Sequence, residues 1–130
     1  MADRAHIVSA CDRYVQHVSD QDTDAILDLF ADDCWIEDPI GTEKKVGKDA
    51  LREFYDGIQG LPVTPVMTRE GMGPVCVTAN EAAFQFRIDI DLGETKIAMT
   101  STDAMVFDDA GKIVSMRAYA DGEASPDAGT

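Results

Sequence analysis

Asp103 is the most unusual residue of this 130-residue sequence, because it lies among apolar side chains of one strand parity. The residues that share its face in the predicted strand include Met99, Met105 and Phe107. A carboxylate on an apolar face is costly to ionise, so burial raises its pKa and keeps it protonated, and a protonated carboxyl donates a hydrogen bond. Two alternatives are open: a bulge that turns Asp103 outward, or a bond to a local backbone group.

Two further polar side chains are candidates for the same interior. Tyr14 lies on the apolar stripe of the first helix, where a buried hydroxyl needs a hydrogen-bond partner, and the simpler interpretation is a core tyrosine with a satisfied hydroxyl. Asp38 shares its strand parity with the apolar Cys34 and Ile36, which favours an inward position. A turn-initiating role before Pro39 is the interpretation that the sequence alone favours.

The other polar residues predict no metal site. Several are interpreted as surface groups without a chemical role: His6, His17, the pair Lys44–Lys45 and the acidic pairs Asp32–Asp33 and Asp108–Asp109. None of them has the spacing of metal ligands. The three cysteines are far apart and form no CxxC motif, so they are interpreted as reduced, semi-buried thiols: Cys11, Cys34 and Cys76.

Composition excludes several classes of partner. The chain has 11 Lys and Arg against 25 Asp and Glu, a net charge of −14, which argues against nucleic acid and against an anionic membrane surface. No apolar run approaches the roughly 20 residues of a membrane span, and charges occupy the N-terminus where a signal peptide is apolar. We expect a cytoplasmic protein with one domain over residues 1–121 and a flexible tail over residues 122–130.

The spacing of apolar residues along the sequence changes near Gly60, from a helical period to the alternation of strands. Before it, helical spacing predicts three helices: one with the stripe from Ile7 to Val18, a short one containing Ala25 to Phe30, and one over Asp49–Ile58. A short strand over Cys34–Asp38 is predicted between the second and third helices. After it, alternation predicts three strands: Phe84–Leu92, Ile97–Phe107 and Lys112–Ala120. Helices followed by a meander of strands predict an α+β fold, with helices packed on one face of a curved antiparallel sheet.

Five segments together resemble the bacterial Δ5-3-ketosteroid isomerases over about residues 5–121. The segments are DRYVQHV, LDLFADDCWIEDPIG, LREFYDG, NEAAFQFRI and STDAMVFDDAGKIVSMRAY. The pieces LFADD and IEDPIG occur widely among cone-shaped domains of the nuclear-transport-factor-2 superfamily and indicate only that fold. The combination of Tyr14, Asp38 and Asp103, with Tyr55 between them, is much more specific to the isomerases.

The resemblance implies a reaction and a role for each of these residues. Asp38 would move a proton from C4 to C6 of a 3-oxo-Δ5-steroid through a dienolate, giving the conjugated 3-oxo-Δ4 product. Tyr14 and a protonated Asp103 would donate hydrogen bonds to the C3 oxygen. Tyr55, which is otherwise most simply a core residue, would hydrogen-bond Tyr14 from behind and orient it. The resemblance implies neither a metal nor an organic cofactor.

Strand parity and the same resemblance suggest the walls of a steroid pocket. The candidate wall residues are Phe54, Phe84, Phe86, Met99, Met105, Met116 and Ala118. Each of them alone is more often a plain core residue than a substrate contact. The chain departs from the family at Ala120, where the isomerases commonly carry a large aromatic residue, and this opens the predicted pocket mouth near the base.

Two alternative functions and one assembly state complete the sequence predictions. Another enzyme of the same cone, polyketide cyclase-like or hydrolase-like, is one alternative, but such relatives lack the Tyr14 and Asp103 donor pair. A non-catalytic small-molecule-binding module is the other. The outer strand parity contains Ala104, Val106 and Tyr119, an apolar surface that predicts a homodimer.

Overall fold

Three helices cover one face of a seven-stranded sheet in the computed structural model, which describes residues 2–122. The helices are α1 (Arg4–Ser19), α2 (Thr23–Asp28) and α3 (Lys48–Gln59). The strands are β1 (Phe30–Glu37), β2 (Lys45–Val46), β3 (Val66–Thr68), β4 (Cys76–Thr78), β5 (Glu81–Asp91), β6 (Lys96–Phe107) and β7 (Ile113–Asp121). The predicted α+β class is confirmed. The predicted tail lies outside the described residues, apart from Gly122.

The sheet is mixed, so the prediction of a wholly antiparallel sheet is wrong at one pair of strands. The strand order is β2-β1-β7-β6-β5-β3, with β4 paired to β5. β1 runs parallel to β7, whereas the other pairs are antiparallel. Strands β2 to β6 separate β1 from β7 in the chain, so no hairpin imposes an antiparallel direction on this pair.

The β5–β6–β7 meander is the long regular part of the sheet and carries most of the site. Its register places Phe84 of β5 opposite Asp103 of β6, and Asp103 opposite Ala118 of β7. The tight loop between β6 and β7 contains Gly111 at φ +84°, a conformation that favours glycine. This glycine allows the chain to reverse direction between β6 and β7.

β1 is longer than predicted, and Phe30 begins it instead of belonging to the second helix. The first half of this strand could not be predicted from the sequence. Asp32 and Asp33 are adjacent and both exposed, so they break the alternation of polar and apolar positions. The pairing with β7 also shifts register between Phe30 and Trp35. β2, β3 and β4 have two or three residues each, too few for a periodic pattern to reveal them.

The core lies between the sheet and the apolar face of α1. The predicted stripe is confirmed, with Ile7, Cys11, Tyr14, Val15 and Val18 buried. The thiols differ from the prediction of semi-buried groups, because Cys11 and Cys34 are fully buried and Cys76 is exposed. Within residues 2–122, no helix is long and apolar enough to cross a membrane.

Candidate active site

Asp103 points into the core from the middle of β6 and is 1% exposed. The ladder is regular on both sides of it, and the nearest shift in register lies at Val106 and Phe107, so the alternative of a bulge at Asp103 is wrong. Burial raises the pKa of Asp103 well above its ordinary value, repulsion from the Asp38 carboxylate raises it further, and a hydrogen bond from Ser101 opposes both. Burial therefore favours the neutral form of Asp103, and a neutral carboxyl can donate a hydrogen bond.

Tyr14 and Tyr55 form a buried pair between α1 and α3. Their hydroxyl oxygens are 2.7 Å apart, and the side chains are 3% and 2% exposed. Burial raises the pKa of both phenols, so both are neutral. When Tyr55 donates to Tyr14, the proton of the Tyr14 hydroxyl is available for a ligand. The structure thus supports both earlier interpretations of Tyr14, a core tyrosine and a potential donor.

Asp38 follows the last residue of β1 and is half-buried. Burial raises its pKa to about 6, and the positive charge of Lys45 partly opposes this. A turn does follow, since the Thr42 amide donates to the Pro39 carbonyl at 3.1 Å. The two earlier interpretations are therefore compatible, because Asp38 precedes this turn while its carboxyl is shielded from solvent. A carboxyl with this pKa is mostly ionised at pH 7 and can accept a proton.

Ala118 lies between the two aspartates. On one side of Ala118, Asp103 of β6 is its cross-strand partner. On the other side, Glu37 of β1 pairs with Arg117, and the Ile40 amide donates to the Ala118 carbonyl at 2.9 Å. Two strand spacings separate the backbones of Asp38 and Asp103 by roughly 10 Å. The side chain of Ala118, between the two aspartates, is only a methyl group.

The predicted wall residues are buried to different degrees. Five of them are buried and two are half-buried: Phe84, Phe86, Met105, Met116 and Ala118, and then Phe54 and Met99. Along β6, exposure rises from 1% at Met105 to 39% at Ile97. The site is therefore closed on the Met105 side and opens toward Met99. Ala120, opposite Ser101, is exposed.

Sequence reasoning assigned no chemistry to Ser101 and Lys45, two residues that act on the aspartates. Ser101 is 3% exposed and its hydroxyl donates to Oδ1 of Asp103 at 3.1 Å. Its strand parity was a usable signal, since it shares the face of Asp103. Lys45 is half-buried, with Nζ 5.0 Å from the centre of the Phe54 ring, so its prediction as a solvated loop residue is wrong. Its strand, β2, is too short to detect from the sequence.

Some predicted surface residues keep that position and stay outside the site. His6 is exposed and His17 is half-buried on α1, and Nε2 of His6 lies 2.9 Å from the Gly111 carbonyl oxygen. Lys44 is exposed and lies over the Trp35 ring at 4.1 Å. Over residues 2–122, no three His, Cys, Asp or Glu side chains are grouped so as to hold a metal ion.

Comparison with known proteins identifies the family. The SnoaL-like domain matches residues 11–116. The chain is 35% identical over 115 residues to a Steroid Delta-isomerase of Nocardioides simplex, covering 88% of this chain and 89% of that protein. The solved structure of SalBIII, an epoxide hydrolase/cyclase-like enzyme of pyran ring formation in the polyether salinomycin, superposes with a TM-score of 0.77. The superposition covers 93% of this chain and 95% of SalBIII at 23% identity, which shows a shared fold. The chain belongs to the family of SnoaL-like domains.

Proposed function

We propose that this protein is a steroid Δ-isomerase that converts a 3-oxo-Δ5-steroid into its conjugated 3-oxo-Δ4 isomer. The observation that carries the proposal is a pair of carboxyls in different surroundings, one of them fully buried and the other half-buried. Burial raises the pKa of Asp103 well above its ordinary value and favours the neutral acid, whereas the pKa of Asp38 is about 6, which leaves Asp38 mostly ionised at pH 7. Proton abstraction beside a carbonyl needs both a base and a donor to the developing oxyanion.

The base in this proposal is Asp38. Its carboxylate takes a proton from C4, the electrons of that C–H bond form the C3–C4 double bond, and the carbonyl electrons move to the C3 oxygen. The resulting dienolate collapses when Asp38 returns the proton to C6, which moves the double bond to C4–C5. The proton that leaves C4 is the proton that enters C6, so the reaction balances without an oxidant, a reductant or a second substrate.

Tyr14 and Asp103 are the proposed donors to the C3 oxygen. Both side chains are buried and neutral, so their O–H groups do not repel the negative charge that develops on the oxygen. An ionised Asp103 would repel it. Tyr55 is the proposed positioning residue, because its hydroxyl lies 2.7 Å from that of Tyr14 and holds the phenol from the side of α3.

The proposed ligand is a steroid because the surroundings of the two carboxyls are apolar and flat. Phe84 lies opposite Asp103 and Phe86 opposite Ser101, and the neighbouring pair Met105 and Met116 is also buried. These side chains suit a rigid hydrocarbon with one polar end. The 35% identity to a Steroid Delta-isomerase supports the same substrate class.

The experiment that tests this proposal is an ultraviolet assay with 5-androstene-3,17-dione, in which the conjugated product absorbs and the substrate does not. Wild type should produce the enone. Asp38→Asn should lose most of the turnover with ligand binding retained, because an amide cannot accept the C4 proton. Tyr14→Phe should lose roughly 10²–10³ in turnover, the usual effect of removing one oxyanion donor. Near-native turnover in Asp38→Asn would refute the assignment of the base.

A further inference from the structure

We propose that Ser101 is a positioning residue that fixes which oxygen of Asp103 carries the acidic proton, and so directs that proton at the ligand. The inference rests on the proposed function, because it concerns the same donor. Ser101 and Asp103 are separated by two positions on β6 and therefore face the same side of the sheet. Both are buried, so their polar atoms must be satisfied within the protein.

The hydrogen bond joins the Ser101 hydroxyl to one oxygen of the Asp103 carboxyl. The Ser101 hydroxyl donates to Oδ1 of Asp103 at 3.1 Å. A neutral carboxyl has one carbonyl oxygen, which accepts well, and one O–H group, which donates. Donation from Ser101 therefore favours the tautomer with Oδ1 as the carbonyl oxygen and the proton on Oδ2. Over residues 2–122, no side chain other than Ser101 hydrogen-bonds the Asp103 carboxyl.

The cross-strand neighbours of Asp103 have no side chain that could fix the position of its proton in place of Ser101. The cross-strand partners, Phe84 and Ala118, have no polar side-chain atoms. Nearby titratable groups include the Asp38 carboxyl and the phenols of Tyr14 and Tyr55, which are hydrogen-bonded to each other. Ala120, the residue opposite Ser101, also has no donor. Without Ser101, the proton of Asp103 would occupy either oxygen.

The same bond strengthens Asp103 as a donor. A hydrogen bond to a carboxyl oxygen stabilises the ionised form, and this bond opposes the upward shift in pKa that burial produces. Burial is the larger effect, so the neutral form of Asp103 stays favoured. Ser101 thus makes Asp103 a stronger acid without ionising it, which favours a strong hydrogen bond to an oxyanion.

Isotope-edited infrared spectroscopy of the free protein tests the inference without ligand or turnover. Wild type at pH 7 should show a carboxylic acid carbonyl band that disappears in Asp103→Asn. Ser101→Ala should move this band to higher frequency, because the carbonyl loses its donor. Ser101→Thr should restore the wild-type position. Ser115→Ala is the matched control, since Ser115 is also a buried serine, lies on β7 and makes no hydrogen bond to Asp103, and it should leave the band in place.

Affinity for estradiol, a steroid with a phenolic ring, gives a second measurement. Ser101→Ala should bind it about fivefold more weakly, the size of a typical net hydrogen bond, while Ser101→Thr and Ser115→Ala should bind within about twofold of wild type. An unmoved band in folded Ser101→Ala would overturn the inference. Absence of the band from wild type would also overturn it, since Asp103 would then be ionised. Failure of the isomerase assay with the band shifted as expected would refute the proposed function and leave the role of Ser101 intact.

Discussion

At the scale of single residues, the charge of Lys45 acts on the proposed base. Lys45 lies opposite Ile36 in the antiparallel pair of β1 and β2, and Asp38 is two residues beyond Ile36. Such diagonal neighbours are roughly 7–8 Å apart, within reach of a long side chain. Nζ of Lys45 donates to the Glu43 carbonyl at 3.1 Å and lies over the Phe54 ring. Burial, together with the charge of Asp38, raises the pKa values of Asp103, Tyr14 and Tyr55, which favours their neutral forms.

Replacing Lys45 should move the acidic limb of activity to higher pH. The pKa of Asp38 is about 6, so the isomerase should lose activity below pH 6 as the base becomes protonated. Lys45→Met removes the charge that opposes this protonation and should raise the midpoint of kcat/KM by about half a pH unit, the effect of a charge roughly 7 Å away through water.

Lys44→Met is the matched control for this prediction. Lys44 precedes Lys45 in the chain, but its ammonium group lies over Trp35 on the other face of the sheet. The control should keep the wild-type midpoint, and Lys45→Arg should keep it too. Equal midpoints in Lys45→Met and Lys44→Met would show that Lys45 does not act on Asp38.

Asp103 should lower the free energy of unfolding at neutral and higher pH, although it contributes to the proposed activity. Its pKa rises from an ordinary 3.8 to well above that value on folding, so the native state binds more protons than the unfolded chain above pH 3.8. The free energy of unfolding therefore falls as pH rises through this window. Asp103→Asn cannot titrate and should be more stable than wild type at pH 8, by roughly 1–2 kcal/mol.

The pH dependence of this stability difference separates titration from packing. The advantage of Asp103→Asn should shrink as the pH is lowered from 8 to 5, as measured by urea denaturation. A constant difference over that range would mean that Asp103 titrates alike in both states. In turnover, Asp103→Asn should retain more activity than Asp103→Leu, because an amide still donates a hydrogen bond.

At the scale of elements, the β6–β7 hairpin is held against α1 at Gly111. The residue has φ +84°, and a Cβ added there would lie 2.6 Å from Nε2 of His6, which also contacts the Gly111 carbonyl oxygen at 2.9 Å. Gly111→Ala should therefore lower the free energy of unfolding for two reasons, backbone strain and displacement of His6. We expect a loss of about 2–3 kcal/mol in the free energy of unfolding.

Gly93→Ala separates these two costs. Gly93 has φ +89° in the β5–β6 loop, and a Cβ there would meet no atom within 4 Å. It should lose only the cost of the backbone conformation, about 1 kcal/mol. Comparable losses in the two variants, measured by chemical denaturation, would show that the contact between His6 and Gly111 contributes nothing.

The regular elements could be predicted from sequence because their side chains alternate or recur with a clear period. The parity of β6 placed Asp103 inside, and the stripe of α1 placed Tyr14 there. The direction of β1 could not be predicted, since its pairing with β7 depends on residues far apart in the chain. Lys45 was misassigned because a two-residue strand has no period, and Ser101 was passed over because a serine on an inner face has no distinctive chemistry until its partner is known.

At the scale of the whole molecule, the outer face of the sheet remains the predicted dimer surface. Tyr119 is 53% exposed there, and Ala104 and Val106 are half-buried on the same face. Light scattering at micromolar concentration should give particles of about twice 14.1 kDa. Tyr119→Asp should shift them toward monomers, because a charge is costly in an apolar interface.

Leu61→Asp is the control for this surface. Leu61 is 52% exposed and follows α3, away from the outer strand positions, so its replacement should leave the assembly unchanged. A wild-type particle of 14.1 kDa at micromolar concentration would contradict the dimer prediction.

The central claim is that one carboxylate moves one proton within a steroid, and isotope transfer tests it most directly. A 3-oxo-Δ5-steroid carrying two deuterium atoms at C4 is incubated with wild type in ordinary water, and mass spectrometry with NMR locates the deuterium in the product. We expect 3-oxo-Δ4 product with deuterium at both C4 and C6, and almost no product from Asp38→Asn. No conversion by wild type, or a C6 hydrogen drawn wholly from water, would contradict the account.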